Sequence, residues 1–321
     1  MADRIGILMA TYNGAAFLHE QLASIAAQTH RDWHLYVRDD GSSDATPDLV
    51  ATFAKTHPEQ VTWIEDDLGS LGARGNFARL MEVVETPYIA FADQDDIWHP
   101  EKLALTYAVL RQLEINAGGD TPCMVHADRR IVDAEGHLQA ASFWASRGLS
   151  PASFPTPEAY YAFCLAAGST MLINQALRTR SLPVPDAARM HDCWIELVAH
   201  AVGQVGWIDT AVLDYRHHGA NASGSGQMQS RRIWARAARL WRQRGLQRDV
   251  YRIYFDQAAA FHTQIGATLP TAARQRLEEF LSIPGRSLPG RFRAIRQSQS
   301  SPPGLLRRLV FAWLSGGVSR R

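Results

Sequence analysis

The stretch Tyr88-Ile-Ala-Phe-Ala-Asp-Gln-Asp-Asp-Ile-Trp98 is an apolar run that breaks into three carboxylates. Residues 88–92 predict a buried strand, and Asp93, Asp95 and Asp96 follow where that strand ends. In open α/β sheets the carboxyl ends of the strands line the ligand crevice, where a divalent cation would relieve the repulsion among neighbouring carboxylates. The pattern therefore favours a metal site over a solvated acidic turn.

Short apolar strands and amphipathic helices alternate along the segment that precedes this stretch. Their predicted ranges are 5–9, 16–28, 33–38, 48–56 and 61–65. Thr46 and Pro47 have the character of an N-cap and a first-turn proline for the second helix. The alternation is typical of an α/β fold whose parallel strands are joined by helical crossovers. It predicts that the acidic strand ends share one edge of the sheet, and these are Asp39, Asp40, Asp93 and Asp95.

Composition indicates a globular protein. The 321 residues are 46% hydrophobic, and no apolar run approaches the roughly 18 residues that a membrane-spanning helix needs. The first residues lack the apolar region and cleavage site of a signal peptide, so we expect a cytoplasmic protein. The widely spaced Cys123, Cys164 and Cys193 indicate buried free thiols rather than a disulfide framework or a zinc site.

The net charge of +1 conceals a strong asymmetry between the two parts of the chain. From Ser230 onward there are 18 arginines, no lysine and 4 acids, a net charge of +14. Residues 1–229 carry 15 bases and 28 acids, a net charge of −13. We therefore expect a catalytic domain over residues 1–225 and a basic, helical region over residues 226–321.

Five motifs occur in order between residues 10 and 98, and the resemblance to which they belong covers about the first 225 residues. They are Ala10-Thr-Tyr-Asn-Gly14, Gln28-Thr29, Asp39-Asp-Gly-Ser-Ser-Asp44, Asn76-Phe77 and Asp93-Gln-Asp-Asp-Ile-Trp98. Together they resemble the nucleotide-sugar domain of family-two glycosyltransferases, and the last motif, followed by Pro100 and Lys102-Leu103, resembles the bacterial rhamnosyltransferase branch. An ordered set is much more specific than any one motif. The resemblance implies a GT-A fold, with a Rossmann-like mixed sheet wound by helices, and sugar transfer with inversion.

The resemblance implies a donor site among these motifs, and the residue chemistry agrees with that role. The ring of Tyr12 could stack on a pyrimidine beside the Thr11 hydroxyl, and Asp40 could accept the N3–H of uracil or thymine. The alternatives are a core aromatic for Tyr12 and a turn residue for Asp40, although Asp39 suits the turn better. The other predicted donor contacts come from the glycine-rich segment and the acidic motif, and they are Arg74, Asn76, Asp93 and Gln94.

The resemblance also implies a metal site. The position of the family's acidic motif that coordinates the metal directly is Asp95 here, with Asp93 facing the ribose or a metal-bound water. The segment Arg216-His-His-Gly-Ala-Asn221 resembles the family's Arg-x-His-Gly-x-Asn close, in which His218 can be a second ligand. Oxygen ligands shared with a diphosphate predict Mg²⁺ or Mn²⁺, of which Mn²⁺ accepts imidazole. A structural histidine is the alternative for His218, and Asp96 is expected to cap the following helix.

The segment Met190-His-Asp-Cys-Trp-Ile-Glu196 opens an apolar helix. In family members with the acidic motif upstream, a His-Asp-x-Trp segment at this point supplies the catalytic base, which the resemblance assigns to Asp192. The alternative is an acid that only stabilises the helix N-terminus. His191 is expected to orient the substrate.

Two further segments are candidates for the sugar or acceptor pocket. His126 and Asp128 share a face of a predicted strand, which could mean a metal, although Asp128 could equally line the pocket or anchor Arg129. Gly168 would let the backbone approach a bound sugar, and Ser169 could donate a hydrogen bond. For Gly168 and Ser169, the alternative is a tight turn.

The arginine-rich region predicts contact with a charged partner. Residues 230–245 and 305–314 have the pattern of basic amphipathic helices, which suit an anionic membrane surface such as the inner face of the plasma membrane. No nucleic-acid motif accompanies the arginines, and the alternative is a helical bundle with solvated arginines at a homodimer interface. A flexible linker is predicted at 222–226 and partial disorder at 284–304.

The predicted reaction is inverting transfer in which Asp192 takes the proton of an acceptor hydroxyl as that oxygen attacks the anomeric carbon. The branch implies dTDP-L-rhamnose as donor, with a UDP-linked hexose as the alternative, and a cell-surface polysaccharide or lipid-linked glycan as acceptor. A nucleotidyltransferase would also use paired carboxylates, but the Ala10–Gly14 stretch lacks a basic phosphate loop. A non-catalytic sugar-binding protein would not need Asp95, Asp192 and His218 together.

Overall fold

The strand at the start of the acidic motif lies inside the sheet, as its sequence predicts. The structure is a computed structural model that describes residues 4–118, 120–218, 244–316 and 318. Tyr88–Ala92 is buried along its whole length because every side chain in it is apolar or aromatic. The predicted linker at 222–226 and residues 230–243 of the predicted basic helix lie outside the described residues.

The described residues form a mixed sheet of nine strands in the order β3-β2-β1-β4-β8-β6-β9-β5, with β7 paired to β6. The strands are β1 (Ile5–Thr11), β2 (Trp33–Asp39), β3 (Val61–Trp63), β4 (Tyr88–Ala92), β5 (Ile97–Trp98), β6 (Cys123–Val132), β7 (Leu138–Ala140), β8 (Leu172–Asn174) and β9 (Gln204–Arg216). β1 to β4 run parallel to one another, whereas β8 is antiparallel to both of its neighbours. The mixed α/β sheet agrees with the predicted fold class.

Strand register brings the acidic ends to one edge of the sheet. Thr11 of β1 pairs with Asp39 of β2, and Met9 pairs with Ala92 of β4. Asp93 therefore lies directly after β4, and Asp39 lies at the end of β2, two strands away in the sheet. The prediction that these carboxylates share an edge is confirmed.

The described helices pack around the sheet or among themselves. They are α1 (Leu18–Ala26), α2 (Thr46–Thr56), α3 (Gly72–Val83), α4 (Lys102–Ala117), α5 (Phe143–Arg147), α6 (Gln175–Ser181), α7 (His191–Val202), α8 (Arg244–Ile265), α9 (Thr271–Ser282), α10 (Leu288–Gln297) and α11 (Leu305–Leu314). Gln28, just beyond α1, bonds the carbonyl of His99 at 2.8 Å and the amide of Leu103 at 3.0 Å. The Gln-Thr motif thus ties the end of α1 to the chain that follows the acidic motif.

Two capping predictions were wrong. α2 begins at Thr46, with Ala45 as its N-cap, because the Thr46 hydroxyl is used elsewhere: it accepts from the amide of Gly14 and donates to Asp44. α4 has Glu101 as its N-cap and no side-chain cap. Asp96, predicted to cap that helix, is instead fully buried.

Contacts divide the chain into two units. The sheet unit comprises residues 4–148, 166–184 and 190–218 of the described chain, and the helical unit comprises 149–165, 185–189 and the described residues from 244 on. The segments 149–165 and 185–189, which the sequence analysis placed in the first domain, therefore belong to the helical unit. Apolar aromatic packing explains this, since Tyr161 stacks near Phe280 with ring centroids 5.4 Å apart.

The helical unit has its own aromatic core. The rings of Phe255 and Phe280 stack with centroids 4.7 Å apart, and Phe311 lies 6.3 Å from Phe280. A buried carboxylate, Glu158, is paired with Arg276. Among the helices of the described residues, none combines the length and the apolarity that a bilayer crossing requires.

Candidate active site

Three carboxylates from distant parts of the sequence converge beyond the end of β4. Burial, together with the charges of Asp95 and Asp192, raises the pKa of Asp93 to about 7. Coulomb energy falls with distance, so a carboxylate on α7 must lie close to the acidic motif to have this effect. The adjacent residues Gly168 and Ser169 connect Asp192 to Asp93. The Gly168 amide donates to Asp192 at 3.1 Å, and the Ser169 hydroxyl lies against Asp93.

The predicted metal ligands lie side by side. The Nε2 atom of His218 is 2.8 Å from the Oδ2 atom of Asp95, and the imidazole packs on Phe17 with centroids 4.7 Å apart. Two ligands at right angles on an octahedral ion, each with a bond of about 2.1 Å, lie about 3 Å apart. The two side chains therefore fit one Mg²⁺ or Mn²⁺ ion, with the remaining positions left to water and phosphate oxygens.

Arg216, which the sequence analysis did not single out, holds this pair in place. Its buried guanidinium donates to the backbone carbonyl of Asp95 at 3.3 Å, to the carbonyl of Ala134 at 2.7 Å and to the carboxylate of Glu20 at 2.7 Å. The arginine lies two residues before His218 on the chain, so it fixes both ligands with respect to each other. The family-like Arg-x-His spacing was the available signal.

A second cluster forms a cavity of about 400 Å³ at the ends of β1 and β2, lined by Tyr12, Arg38, Asp39, Asp40, Gly41, Asp66, Gly69 and Ser70. The Tyr12 ring is 57% exposed, so it is not a core aromatic. Its backbone is fixed on both sides by the Gln94 carboxamide, which accepts from the Tyr12 amide and donates to its carbonyl, each at 2.9 Å. Gln94, a predicted donor contact, thus positions Tyr12.

Asp40 joins the glycine-rich segment to this cavity. Its carboxylate accepts from the amides of Leu71 and Gly72 at 2.7 and 2.9 Å, from the Ser70 hydroxyl at 2.8 Å, and from Arg38 at 3.3 Å. These four bonds match the roughly four acceptor positions of a carboxylate. The predicted bond from a pyrimidine N3–H to Asp40 therefore requires that one of them be displaced.

Arg38 organises the cavity floor and was missed by the sequence analysis. The guanidinium is buried and donates to Asp66 at 2.7 Å, to the carbonyl of Gly69 at 2.9 Å and to the amide oxygen of Asn76 at 2.9 Å. The amide nitrogen of Asn76 donates back to the Arg38 carbonyl at 3.3 Å. Asn76 is buried, so the prediction that it contacts the donor is corrected to a role in holding Arg38.

Thr11 also has a structural role. It is buried, and its hydroxyl donates at 2.8 Å to Asp39, which lines the cavity, so its place beside the base stays a prediction. Asp39 accepts from the amides of Gly41 and Ser42 as well, which confirms the turn role expected of it. Arg74 lies half-buried in the first turns of α3, after the two positive-φ glycines Gly69 and Gly72.

His191 is a packing residue. Its ring is buried between Phe77 and Phe91, with centroids 4.0 and 5.2 Å away, and burial lowers its pKa to about 4. The prediction that His191 orients the substrate is therefore corrected. Gly168 is needed for a different reason from the one predicted, since a Cβ there would lie 2.7 Å from the His191 Nε2 atom.

Gly168→Ala is expected to destabilise the protein by about 1–3 kcal/mol, because the stacked His191 ring has no room to move away from the new methyl group. The same shift would disturb the Gly168 amide that holds Asp192, so turnover should fall as well. Urea unfolding and initial rates measure the two effects. Gly285→Ala is the matched control, since a Cβ there meets nothing within 4 Å. An unfolding midpoint equal to that of Gly285→Ala would contradict the predicted clash.

Asp128 holds a helix and does not line a pocket. Its buried carboxylate accepts from the Ser142 hydroxyl, from the Trp144 amide at 3.2 Å and from the Arg129 amide at 2.8 Å, so it anchors the start of α5. His126 is fully buried, with its ring against Trp144. The pocket role predicted for Asp128 is corrected, and its alternative, the anchoring of Arg129, describes the structure.

Two cations lie near the acidic cluster. The Arg129 guanidinium lies over the rings of Phe143 and Tyr215, at 4.4 and 4.2 Å, and its charge opposes the rise in the pKa of Asp93. Lys102 is buried with its Nζ atom 3.4 Å above the Trp98 ring, and burial lowers its pKa to about 7. Neither cation was predicted as part of the site.

Comparison with known proteins finds a family match for the first part of this chain. Residues 6–122 match the family described as glycosyl transferase family 2. The curated dTDP-rhamnosyl transferase RfbG of Shigella flexneri is 38% identical over 98 residues, which is 30% of this chain and 34% of that protein. The chain spans between 34% and 66% of the lengths of three curated relatives.

Solved structures agree on the fold. The chain is similar to S. aureus TarS in complex with UDP-GlcNAc, with a TM-score of 0.61 and 15% identity over 97% of this chain and 88% of that one. It is also similar to the mannosyltransferase PcManGT from Pyrobaculum calidifontis in complex with GDP-Man and Mn²⁺, with a TM-score of 0.52 and 17% identity over 96% and 78% of the two chains. The sheet therefore has the GT-A fold, and the match to glycosyl transferase family 2 covers residues 6–122 of the chain.

Proposed function

We propose that this protein is an inverting, metal-dependent glycosyltransferase that acts on a nucleotide-sugar donor. The observation that carries the proposal is the convergence of Asp93 and Asp95, which follow β4, with Asp192 of α7, whose backbone partner Gly168 adjoins the Ser169 that lies against Asp93. Beside them lie a histidine that suits a metal and a cavity with an exposed aromatic ring. A base, a cation site and a nucleotide-sized cavity are the parts that glycosyl transfer from a nucleoside diphosphate requires.

Asp192 is the proposed general base. Its two oxygens each accept one backbone amide, from Gly168 at 3.1 Å and from Cys193 at 2.7 Å, and each oxygen keeps a further acceptor position. These bonds fix the orientation of the carboxylate at the N-terminus of α7. A carboxylate held this way can take the proton of an acceptor hydroxyl as the oxygen attacks the anomeric carbon.

Asp95 and His218 are the proposed protein ligands of Mn²⁺ or Mg²⁺. When bound, the ion would supply positive charge next to the departing diphosphate. The complex of PcManGT, a protein of the same fold, with GDP-Man and Mn²⁺ supports this assignment. Arg129, whose charge reaches Asp93, is a second source of positive charge for the same phosphates.

We propose dTDP-L-rhamnose as the donor, with a UDP-linked hexose as the alternative. The first is supported by the partial similarity to RfbG, and the second by the complex of TarS with UDP-GlcNAc. The thymine of dTDP and the uracil of UDP are both pyrimidines, so either base could stack on the Tyr12 ring. The proposed acceptor is a growing cell-surface polysaccharide or lipid-linked glycan.

A donor panel tests the function. Purified protein is incubated with dTDP-L-rhamnose, UDP-glucose, UDP-GlcNAc or GDP-mannose, with Mn²⁺ or with EDTA, and nucleoside-diphosphate release is measured. We expect release from one pyrimidine donor in Mn²⁺ and its loss in EDTA. Pyrophosphate release from a nucleoside triphosphate and a sugar phosphate would instead show a nucleotidyltransferase. Calorimetric binding of a donor without any release would show a sugar-binding protein.

A further inference from the structure

The last helix of the helical unit exposes apolar side chains along one face. Leu305, Leu306, Leu309 and Trp313 of α11 are 72%, 52%, 45% and 37% exposed. With 100° between successive helical residues, these four positions fall within one arc of about 100°. The opposite side, which carries Phe311 and Leu314, is fully buried in the helical unit. α11 therefore uses one apolar face for packing and presents a second one.

The neighbouring helix extends this surface. Leu288 and Phe292 of α10 are 44% and 40% exposed, and they flank Arg291 on one helical face. The Arg291 guanidinium reaches the backbone carbonyls of Ala312 and Trp313 at the end of α11, at 3.3 and 3.5 Å. The two helices are therefore in contact, and we call their exposed apolar residues together the α10–α11 patch.

Charge around the patch has one sign. From residue 280 to the end the sequence has eight arginines and no acidic residue. Arg293, Arg296 and Arg308 are exposed on the same two helices. All the charged residues of α10 and α11 are arginines, and exposed leucine and tryptophan combined with arginine on the same helices is the composition of helices that lie in the interface of an anionic membrane. Nucleic acid would leave the exposed leucines without apolar contacts, and the patch favours lipid.

We propose that the α10–α11 patch docks on an anionic lipid bilayer, with Leu305, Leu309 and Trp313 entering the headgroup region and the arginines contacting lipid phosphates. This goes beyond the proposed transfer reaction, because it needs neither donor nor turnover. It places the protein at the surface where a lipid-linked glycan would be found.

Co-sedimentation of the full chain with vesicles tests this docking. Vesicles of phosphatidylglycerol and phosphatidylcholine are expected to bind the protein, and pure phosphatidylcholine vesicles to bind it at least tenfold more weakly. Raising the salt concentration should weaken binding, because the phosphate contacts are screened. The combined variant Leu305→Gln, Leu309→Gln and Trp313→Gln should lower the partition coefficient by at least about thirtyfold. Arg293→Gln and Arg308→Gln should each lower it about fivefold.

A matched variant tests whether vesicle binding depends on this patch or on any exposed apolar side chain. Leu105 and Ile115 on α4 are 45% and 69% exposed, and changing both to glutamine should leave vesicle binding unchanged. Asp192→Asn should bind vesicles like the wild type, so a failure of the proposed catalysis would not affect the result. Equal binding of wild type and triple variant would overturn the proposal. The proposal would also be overturned if the wild type were a dimer that does not bind vesicles and the triple variant were a monomer. In that case a second copy of the chain would cover the patch.

Discussion

Replacing Asp192 by asparagine is expected to lower turnover about a thousandfold while the dissociation constant of the donor changes less than threefold. The amide keeps the size of the carboxylate, and its oxygen can still accept one of the two backbone amides that now reach Asp192. The asparagine side chain cannot accept a proton from the acceptor hydroxyl. Initial rates with the active donor and acceptor measure turnover, and calorimetry measures donor affinity.

The matched control is Asp209→Asn, which makes the same change at an exposed position of β9. It should leave both quantities within experimental error. Turnover of Asp192→Asn close to that of the control would mean that another group takes the proton. A parallel collapse of donor affinity would assign Asp192 to binding instead of catalysis.

The sequence predicted the acidic edge of this sheet well because parallel crossover topology leaves few choices. An apolar strand followed by carboxylates, repeated after β2 and β4, places Asp39 and Asp93 on one side through register alone. The arrival of Asp192 could not be predicted in this way. Asp192 is at the start of a helix, and it reaches the site through the amide of Gly168, in a turn that no periodicity signals and that precedes the antiparallel strand β8. Only the family resemblance placed it there.

The wrong site assignments share a cause. Asn76 lies in a family-like motif and Asp128 on a predicted strand, and a polar residue in either place is a candidate ligand contact. Both are buried and bonded within the protein, Asn76 to Arg38 and Asp128 to the start of α5. A buried polar group must find a partner, and sequence does not say whether that partner is substrate or backbone. His191 failed similarly, because a histidine flanked by Phe77 and Phe91 packs as an aromatic.

In the arginine-rich region, the sequence pattern predicted one helix correctly and a neighbouring segment incorrectly. α11 matches its predicted range of 305–314, since its apolar residues have strong helical periodicity. Residues 284–304 were expected to be partly disordered from their content of proline, glycine and serine. They include α10, whose Ala294 and Ile295 are buried. Tertiary packing therefore overrides the local composition there.

Asp95→Ala is expected to lower metal-dependent turnover at least about a hundredfold and to reduce donor affinity in Mn²⁺ to the value measured in EDTA. Outer-shell partners of metal ligands typically contribute 10- to 100-fold in affinity, so the loss of a charged direct ligand should exceed that. The side chain lies 2.8 Å from His218 at the center of the proposed ion site. Titration of Mn²⁺ against activity, together with donor calorimetry in Mn²⁺ and in EDTA, measures both effects.

His218→Ala should produce a smaller loss of the same kind, and the neighbouring His217→Ala is its matched control. His217 contributes a backbone amide bond to Val132, which alanine keeps. If Asp95 and His218 hold one ion, the double variant should lose less than the product of the two single losses, because the second removal acts on a site already broken. Fully multiplicative losses would mean that the two residues act independently. Manganese titration curves of His218→Ala identical to those of His217→Ala would remove the histidine from the metal site and leave Asp95 as its sole proposed protein ligand.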